Sequence, residues 1–267
     1  MSRISAAFAQ AKAENRAALI TYATVGYPTP SHSADVVRAL LAGGSDIVEL
    51  GIPFSDPLAD GATIQHASQV ALEQGTTLRM SLDLVRELRA EGVTTPLVFM
   101  GYNNPFLHFG LERVVDAAAE IGLDGFIVPD LPPEEGQEFG GLAQAHGLDL
   151  IPLLAPTSTE SRIAANVNAG SGFVYCVSLT GVTGAREQLS ATLPDFLGRV
   201  RQHTDLPLAV GFGVSRPEHV ATIAQIAEGV VSASALINVL DETPANRRFA
   251  ALTELVSAMR EATAHTH

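Results

Sequence analysis

The 267-residue sequence contains few of the features on which several classes of protein depend. Its single cysteine, Cys176, excludes an internal disulfide, which is typical of a cytoplasmic protein. Cys176 lies in the apolar strand-like run FVYCVSL, where a small buried core residue is expected rather than a nucleophile. No apolar run approaches the ~20 residues that a membrane span needs, and the N-terminus lacks the apolar segment of a signal peptide. The sequence therefore predicts a cytoplasmic globular protein.

Basic residues are scarce as well. The chain has 16 Lys and Arg against 29 Asp and Glu, a formal net charge of −13, and Lys12 is its one lysine. This charge disfavours nucleic acid or an anionic membrane as a partner, although a local site could still bind an anionic small molecule. The eight histidines show no H-E-x-x-H motif or other metal-ligand spacing, so no metal site is predicted.

Short apolar runs alternate with helical patterns along the whole chain. The runs cover residues 18–26, 46–54, 96–102, 125–130, 149–156, 172–179, 207–213 and 229–236. Eight strand-then-helix units predict one (β/α)8 TIM barrel domain over residues 1–267, with an extra N-terminal helix and a short helix after the eighth strand. An open doubly wound sheet could show the same alternation. The first strand is not followed by a G-x-G-x-x-G turn, which favours the barrel.

Residues 46–65, DIVELGIPFSDPLADGATIQ, contain the strongest candidates for catalysis. Glu49 lies inside a nearly continuous apolar run, where an unpaired carboxylate is costly, so it is expected to be neutral, paired or functional. Asp60 follows eleven positions later (60 − 49), in a loop that could turn back over the strand end. Two structural alternatives stay open. Glu49 could face solvent at the sheet end, and Asp56 or Asp60 could be a helix N-cap.

The last quarter of the chain carries a pattern typical of a phosphate site. The seventh strand ends in Gly211-Phe212-Gly213, and the eighth runs into Ser232-Ala233-Ser234 before the helical pattern ALINVL. In such barrels, phosphate is commonly bound by the loops after strands seven and eight and by the N-terminus of a short extra helix. Gly184, after the sixth strand, could add another N–H donor. As structure alone, the glycines would be strand-end turns.

Two connections are longer than usual, one after the second strand and one, TGVTGAREQLSATLP, after the sixth. In a barrel both lie on the face where strands end and where active sites are built. The segment from Thr180 to Leu193 is rich in glycine and small residues. We expect it to be a mobile lid over bound substrate, with Arg186 as a trypsin site inside it.

Several motifs together resemble one family. D-I-V-E-L-G-I-P-F-S-D-P-L-A-D-G closely resembles the signature of the alpha subunit of tryptophan synthase. The other family motifs follow in order over essentially the whole chain: Y-N-N-P (102–105), P-D-L-P (129–132), L-A-P-T-S (154–158), V-T-G-A-R (182–186) and G-F-G-V-S (211–215). The resemblance implies a barrel that cleaves indole-3-glycerol phosphate to indole and glyceraldehyde 3-phosphate. It also implies no cofactor in this chain, and a beta subunit that holds pyridoxal phosphate and receives indole through a tunnel.

The same resemblance implies roles for individual residues. Glu49 would be the acid/base on the strand and Asp60 its partner in the loop. The phosphate would be bound by Gly184, Phe212, Gly213, Ala233 and Ser234, and the indole and glycerol moieties by Tyr22, Met100, Ile127, Tyr175 and Thr183. The chain departs from the usual D-G-P at Ala62 and from the usual G-S-A at Ala233. We expect Ala233 to keep a negative φ, which leaves its N–H group usable.

The chemistry can also be compared with the residues alone. Retro-aldol cleavage can proceed through a lysine Schiff base or a metal ion. Lys12 precedes the first strand and no metal-ligand motif is present, which leaves acid–base catalysis, with Glu49 protonating C3 and Asp60 holding the indole N–H. Burial should keep Glu49 protonatable at neutral pH. Two alternatives stay open: another phosphosugar barrel such as an isomerase of the same pathway, and a non-catalytic barrel that binds a phosphorylated ligand or a partner protein.

Overall fold

A computed structural model of the protein describes residues 2–177, 186–211 and 213–265, without the side chains of residues 133, 134 and 186–191. Within these residues, nine short strands pair in parallel. They are β1 (Ala18–Thr24), β2 (Ile47–Gly51), β3 (Leu97–Met100), β4 (Gly125–Ile127), β5 (Asp149–Ile151), β6 (Leu153–Leu154), β7 (Val174–Val177), β8 (Leu208–Gly211) and β9 (Gly229–Ser232).

Twelve α-helices lie within the described residues, most of them between successive strands. They are α1 (Arg3–Ala13), α2 (Ser33–Ala42), α3 (Ala62–Glu73), α4 (Leu78–Ala90), α5 (Asn103–Phe109), α6 (Leu111–Glu120), α7 (Pro133–Ala145), α8 (Glu160–Ala169), α9 (Arg186–Arg201), α10 (Pro217–Ala224), α11 (Ser234–Glu242) and α12 (Arg248–Glu261). The predicted N-terminal helix is α1, and the predicted short helix after the last strand is α11. Among the described helices, none combines the length and the apolar character that crossing a membrane requires.

The sheet closes at a strand that a proline interrupts. The strand order is β5-β4-β3-β2-β1-β9-β8-β7-β6, so β5 and β6 lie at its two edges. These two strands are consecutive in the chain, with only Pro152 between them. Pro152 has no N–H to donate, but its carbonyl accepts a hydrogen bond from the Tyr175 N–H at 2.9 Å. Since β5 pairs with β4 and β6 with β7, the two together form one barrel strand, and the predicted (β/α)8 barrel is confirmed.

The barrel interior is filled from the end at which the strands begin. Side chains alternate along each strand, and those that face the barrel axis form a cluster separate from the layer beneath the helices. Three residues of α1, Ile4, Phe8 and Ala11, join this interior cluster, and the Phe8 ring lies 5.5 Å from that of Phe173. The N-terminal helix therefore covers one end of the barrel.

Acidic residues at the beginnings of three strands hold the neighbouring strands in register. Each acid accepts a hydrogen bond from the first or second N–H of the adjacent strand and also binds an arginine. The three sets are Asp46 with Leu19 and Arg16, Asp124 with Leu97 and Arg89, and Glu228 with Leu208 and Arg201. Each acid pairs with a cation as well as a backbone donor, which compensates the charges of Asp46 and Asp124 at largely buried positions. Glu228 is more exposed.

The strands are shorter than the apolar runs that predicted them. The fifth run is divided at Pro152, because a proline cannot donate to the ladder. The eighth run covers residues 229–236, and its last three residues belong to α11, which begins at Ser234. Two of these residues are apolar because the helix packs on the barrel: Ala235 and Leu236 are buried in the layer beneath the helices.

The described residues cover only part of the predicted lid. Residues 180–185 lie outside the described residues, and from Arg186 onward the chain forms α9 rather than a loop, which corrects the expected extent of the lid to Leu193. The reason is packing: Leu193, Phe196 and Leu197 recur at helical spacing and are buried in a cluster with Ile163 of α8.

The pair formed by Asp46 and Arg16 should contribute strongly to stability. Two nitrogens of Arg16 lie 2.7 and 2.8 Å from the two carboxylate oxygens, and the side chains are only 12% and 5% exposed. Asp46→Asn leaves the buried guanidinium without this partner, so we expect the free energy of unfolding in urea to fall by about 3 kcal/mol. The matched control is Asp83→Asn, which breaks an exposed pair with Arg86 and should change stability little. Equal effects of the two substitutions would contradict this interpretation.

Candidate active site

A cavity of about 750 Å³ lies on the face where the strands end, away from α1. Its size is that of a pocket for a small organic ligand. The described residues of its wall come from the ends of the strands and the loops after them: Tyr22, Glu49, Ala59, Asp60, Gly61, Ala62, Thr63, Ile64, Met100, Pro129, Leu153, Ala155, Tyr175, Val177, Gly213, Val214, Val231, Ala233 and Ser234. Most of this wall is apolar, and two carboxyl groups face into it.

Glu49 occupies the middle of β2, with its side chain on the barrel-facing side. Its neighbours in register are Tyr22 on β1 and Val98 on β3, and only 1% of the residue is exposed. Neither carboxyl oxygen has a hydrogen-bond partner among the described residues. Burial without a partner raises the pKa of Glu49 to about 8, so the group is largely protonated at neutral pH, as the sequence predicts. The alternative of a solvent-facing Glu49 is wrong.

Asp60 reaches the same cavity from the loop after β2. The residue is half-buried, and burial raises its pKa to about 6, an effect that a hydrogen bond from the Tyr102 hydroxyl partly offsets. The N-cap of α3 is Gly61, so Asp60 is not a capping residue. Its backbone carbonyl instead accepts a hydrogen bond from the Gln65 side chain at 2.9 Å. At neutral pH the cavity therefore holds one largely protonated carboxyl, Glu49, and one largely ionised carboxylate, Asp60.

Two tyrosines of the wall are positioned by glycines on neighbouring strands. A methyl group added at Gly51 would lie 1.9 Å from the Tyr22 hydroxyl, and one added at Gly211 would lie 2.3 Å from the Tyr175 hydroxyl. No side chain other than hydrogen fits at either position while the tyrosine keeps its place. Burial raises the pKa of both phenols well above the ordinary value, so both remain neutral donors beside the acids.

The other end of the cavity is formed by Gly213, Ala233 and Ser234. Gly213 has a φ of +75°, which glycine adopts without strain. Ala233 has a φ of −131° and is the residue before α11, so the expected negative φ is confirmed. The N-terminus of α11 lies at the cavity, where free backbone N–H groups and the helix dipole favour an anion. The Ser232 hydroxyl donates to the Val214 carbonyl at 3.2 Å, which ties β9 to the loop after β8.

The structure brings eight of the twelve predicted site residues to this cavity: Glu49, Asp60, Tyr22, Met100, Tyr175, Gly213, Ala233 and Ser234. Thr183, Gly184 and Phe212 lie outside the described residues. Ile127 is a correction, because it is fully buried in the interior cluster and Pro129, two residues further along the same face, lines the wall instead.

Sequence reasoning missed several apolar wall residues, among them Pro129, Leu153, Val177 and Val231. A signal for them existed. Side chains two positions apart in a strand share a face, so Val177 follows from Tyr175 and Pro129 from Ile127 once the inward face is known. The sequence alone does not show at which residue of each strand the packed barrel interior ends and the cavity begins.

The family model described as tryptophan synthase alpha chain matches residues 8–266. The chain belongs to the tryptophan synthase alpha chain family. The family is a group of carbon–carbon lyases of tryptophan biosynthesis, which cleave indole-3-glycerol phosphate to indole and glyceraldehyde 3-phosphate. Both the fold and the activity implied by the sequence motifs are thereby confirmed.

Individual members of the tryptophan synthase alpha chain family agree over the full length. The tryptophan synthase alpha chain of Chloroflexus aggregans is 49% identical over 267 residues, covering 100% of both chains. Among solved structures, tryptophan synthase of Mycobacterium tuberculosis has a TM-score of 0.90 at 40% identity, covering 99% of both chains. Tryptophan synthase subunit alpha of Legionella pneumophila has a TM-score of 0.90 at 35% identity, covering 98% of both chains.

Other reactive groups lie away from this site. Cys176 faces outward from β7, is fully buried, and has a pKa raised to about 12 by burial, so it is the core residue that the sequence predicts. Among the side chains that the structure describes, no three from His, Cys, Asp or Glu come together in a way that could hold a metal ion.

The buried carboxyl of Glu49 should make the protein less stable as the pH rises. The pKa rises from its ordinary 4.5 to about 8 in the fold, so above pH 4.5 the unfolded chain loses a proton that the folded chain keeps. Between pH 4.5 and about pH 8, the free energy of unfolding falls by about 1.4 kcal/mol per pH unit. At neutral pH the accumulated loss is roughly 3 kcal/mol. Glu49→Gln should therefore unfold at higher urea than the parent near pH 8.

The difference should shrink when both proteins are unfolded near pH ~4, below the ordinary pKa of 4.5, because Glu49 is then mostly protonated in either state. Glu120→Gln, at an exposed position of α6, is the control and should follow the parent at both pH values. A Glu49→Gln variant with the same pH dependence as the parent would contradict the assignment of a buried neutral carboxyl.

Proposed function

We propose that Glu49 and Asp60 carry out the cleavage of indole-3-glycerol phosphate in this cavity by general acid–base catalysis. The observation on which the proposal depends is the pair of carboxyl groups in one cavity with pKa values on opposite sides of neutrality, about 8 and about 6. Such a pair provides a proton donor and a fixed negative charge at the same time. Both are needed to break the bond between the indole ring and the glycerol chain.

In the first step, the protonated carboxyl of Glu49 transfers its proton to C3 of the indole ring. The ring then carries a positive charge that is shared with its nitrogen. The Asp60 carboxylate accepts a hydrogen bond from the ring N–H and stabilises this charge, as a preformed group in a low-dielectric site does most effectively. The apolar wall, with Met100 and Tyr175, suits the ring itself.

In the second step, the Glu49 carboxylate accepts the proton of the hydroxyl on the glycerol carbon that is bound to C3. The carbon–carbon bond breaks, its electrons return to the ring, and the hydroxyl carbon becomes the aldehyde of glyceraldehyde 3-phosphate. Glu49 gives one proton and takes one back, so it ends the cycle protonated. Its raised pKa favours this return, because burial disfavours the ionised form.

The phosphate would be bound at the other end of the cavity. Backbone N–H groups of Gly213, Ala233 and Ser234 and the N-terminus of α11 are the described candidates, and the Ser234 hydroxyl adds a further donor. We place Gly184 and Phe212 on the phosphate, and Tyr22 and Thr183 around the substrate, on the resemblance in their motifs. Held at both ends, the substrate would present C3 to Glu49.

A lysine Schiff base is disfavoured by position. Lys12, the one lysine of the sequence, lies in α1, the helix that packs on the opposite end of the barrel interior from the cavity. The chain therefore offers no lysine for a covalent intermediate at this site.

We also propose that this face docks on a beta subunit, which holds pyridoxal phosphate and receives indole through a tunnel. Two large apolar side chains support the proposal. Leu58, in the loop that carries Asp60, is 93% exposed, and Leu107, in the helix after β3, is 53% exposed. Both belong to connections that follow strands, as the cavity wall does, so a partner that covered this face would bury them. The complex would be cytoplasmic, without nucleic acid or membrane partners.

The decisive experiment mixes the purified protein with indole-3-glycerol phosphate and measures indole. We expect indole and glyceraldehyde 3-phosphate in equal amounts. Glu49→Gln should lower the rate ~10²–10⁴-fold, because it keeps size and hydrogen bonding but cannot exchange a proton. Asp60→Asn should also slow cleavage strongly while leaving affinity for glycerol 3-phosphate nearly unchanged in calorimetry.

The same assay separates the rival functions. An isomerase would convert a phosphosugar without releasing indole, and a binding protein would bind the substrate without turnover. Since the sequence has no tryptophan, the fluorescence of the substrate ring reports binding directly. Indole production by folded Glu49→Gln at a tenth or more of the parent rate would refute the assigned role of Glu49.

Ala233→Gly tests the phosphate end. Because Ala233 already has a negative φ, its methyl group does not force the backbone away from an anion, and its N–H should remain available. We therefore expect the substitution to change the affinity for glycerol 3-phosphate by less than about tenfold, ~1.4 kcal/mol. A larger gain in affinity, measured by calorimetry, would mean that the methyl group obstructs the site.

A further inference from the structure

Tyr102 occupies a fixed position beside the loop that carries Asp60. It lies just after β3 and immediately before α5, is 5% exposed, and packs its ring at 5.2 Å from that of Phe54. The next residue, Asn103, donates its N–H to the Asp130 carboxylate at 2.8 Å. Tyr102 is thus fixed between β3 and α5, beside the loop after β4, and its ring packs on the first part of the loop that carries Asp60.

The hydroxyl of Tyr102 joins this fixed position to the loop by two contacts. It accepts a hydrogen bond from the Ala59 N–H at 2.9 Å, and its own proton is directed to the Asp60 carboxylate. A phenol has both functions, one donor and an acceptor oxygen, so one group satisfies both. Leu58 and Asp60 donate their own N–H groups to carbonyls within the loop, which shapes the loop but does not tie it to the barrel.

We propose that Tyr102 is a positioning residue for the cleavage reaction, whose hydroxyl binds the loop at Ala59 and holds the Asp60 carboxylate at the cavity by a hydrogen bond. The inference rests on the proposed role of Asp60. A misplaced Asp60 could not reach the ring N–H, and a protonated one could not stabilise the developing positive charge.

The surroundings of Asp60 explain why a neutral donor matters. The ionisable groups that act on Asp60 or respond to its charge are three tyrosines, Tyr22 of β1, Tyr102 after β3 and Tyr175 of β7. Glu49 of β2 lines the same cavity. Burial raises the pKa of all four, so at neutral pH the phenols are uncharged and Glu49 is largely so. Burial alone favours a protonated Asp60, and the Tyr102 hydroxyl opposes it by donating to the ionised form.

Tyr102→Phe tests the proposal, because it keeps the ring and its packing on Phe54 and removes only the hydroxyl. The carboxyl of Asp60 should then ionise at higher pH. We expect the acidic limb of the kcat/KM profile for indole release to move up by about one pH unit, since hydrogen bonds to charged groups are worth that much or more. Near pH 6 the rate should fall about fivefold, and at lower pH about tenfold, while the deficit should narrow as the pH rises.

A second readout does not depend on activity. Carbon-13 NMR of aspartate carboxyls in the ligand-free protein, with Asp60→Asn to assign the signal, should show the Asp60 titration midpoint rising by the same amount in Tyr102→Phe. The control is Tyr27→Phe, which also removes a hydroxyl bonded to a carboxylate, that of Asp241, and should leave the Asp60 titration unchanged.

The outcomes separate the two proposals. A parent that releases no indole, with an Asp60 titration that still moves in Tyr102→Phe, would refute the proposed catalysis and leave the positioning role standing. An active parent whose Asp60 titration and acidic limb are both unchanged by Tyr102→Phe would overturn the positioning role. An equal rate loss at every pH without a titration shift would overturn it as well, since it would indicate a purely structural contribution.

Discussion

The neutral carboxyl of Glu49 is the constraint on which the rest of the site depends. A carboxyl group in the middle of a barrel strand, 1% exposed and without a partner among the described residues, is costly for the fold once it ionises. The same cost makes it useful, because it keeps a proton at a pH where an exposed glutamate has none. Reactivity and instability at this position therefore have one physical cause, and stability must come from elsewhere in the barrel.

The two ends of the barrel divide these tasks. Where the strands begin, α1 fills the interior with Ile4, Phe8 and Ala11, and three acids hold backbone groups of neighbouring strands while paired with arginines. Where the strands end, apolar wall residues leave a cavity, and small residues such as Gly51 make room for a tyrosine. A substitution at the first end should therefore act mainly on stability, and one at the second end mainly on the reaction.

The two acids are held by different means, which matches the roles proposed for them. Glu49 lies in a strand whose position is fixed by pairing on both sides, and the step assigned to it needs a proton delivered to one carbon atom. Asp60 lies in a loop. Two hydrogen bonds connect this part of the loop to the rest of the protein, one from the Ala59 N–H to the Tyr102 hydroxyl and one from the Gln65 side chain to the Asp60 carbonyl. A loop residue placed by hydrogen bonds can adjust to the ring N–H when substrate binds. The same arrangement makes its charge sensitive to a single hydroxyl group.

The sequence by itself determined the barrel, the family and the two acids, because these follow from local patterns: alternating strand and helix signals, and a carboxylate inside an apolar run. Residues far apart in the chain decided the rest. The sequence motifs predict that Ile127 lines the pocket. In the closed barrel Ile127 lies in the packed interior, and Pro129 lines the cavity instead. Sequence reasoning continued one run across Pro152, but this proline cannot donate to the ladder, and the two halves of the strand pair with different neighbours in the barrel. The ionisation states of Glu49 and Asp60 are also tertiary, since desolvation depends on what the folded chain packs around a group.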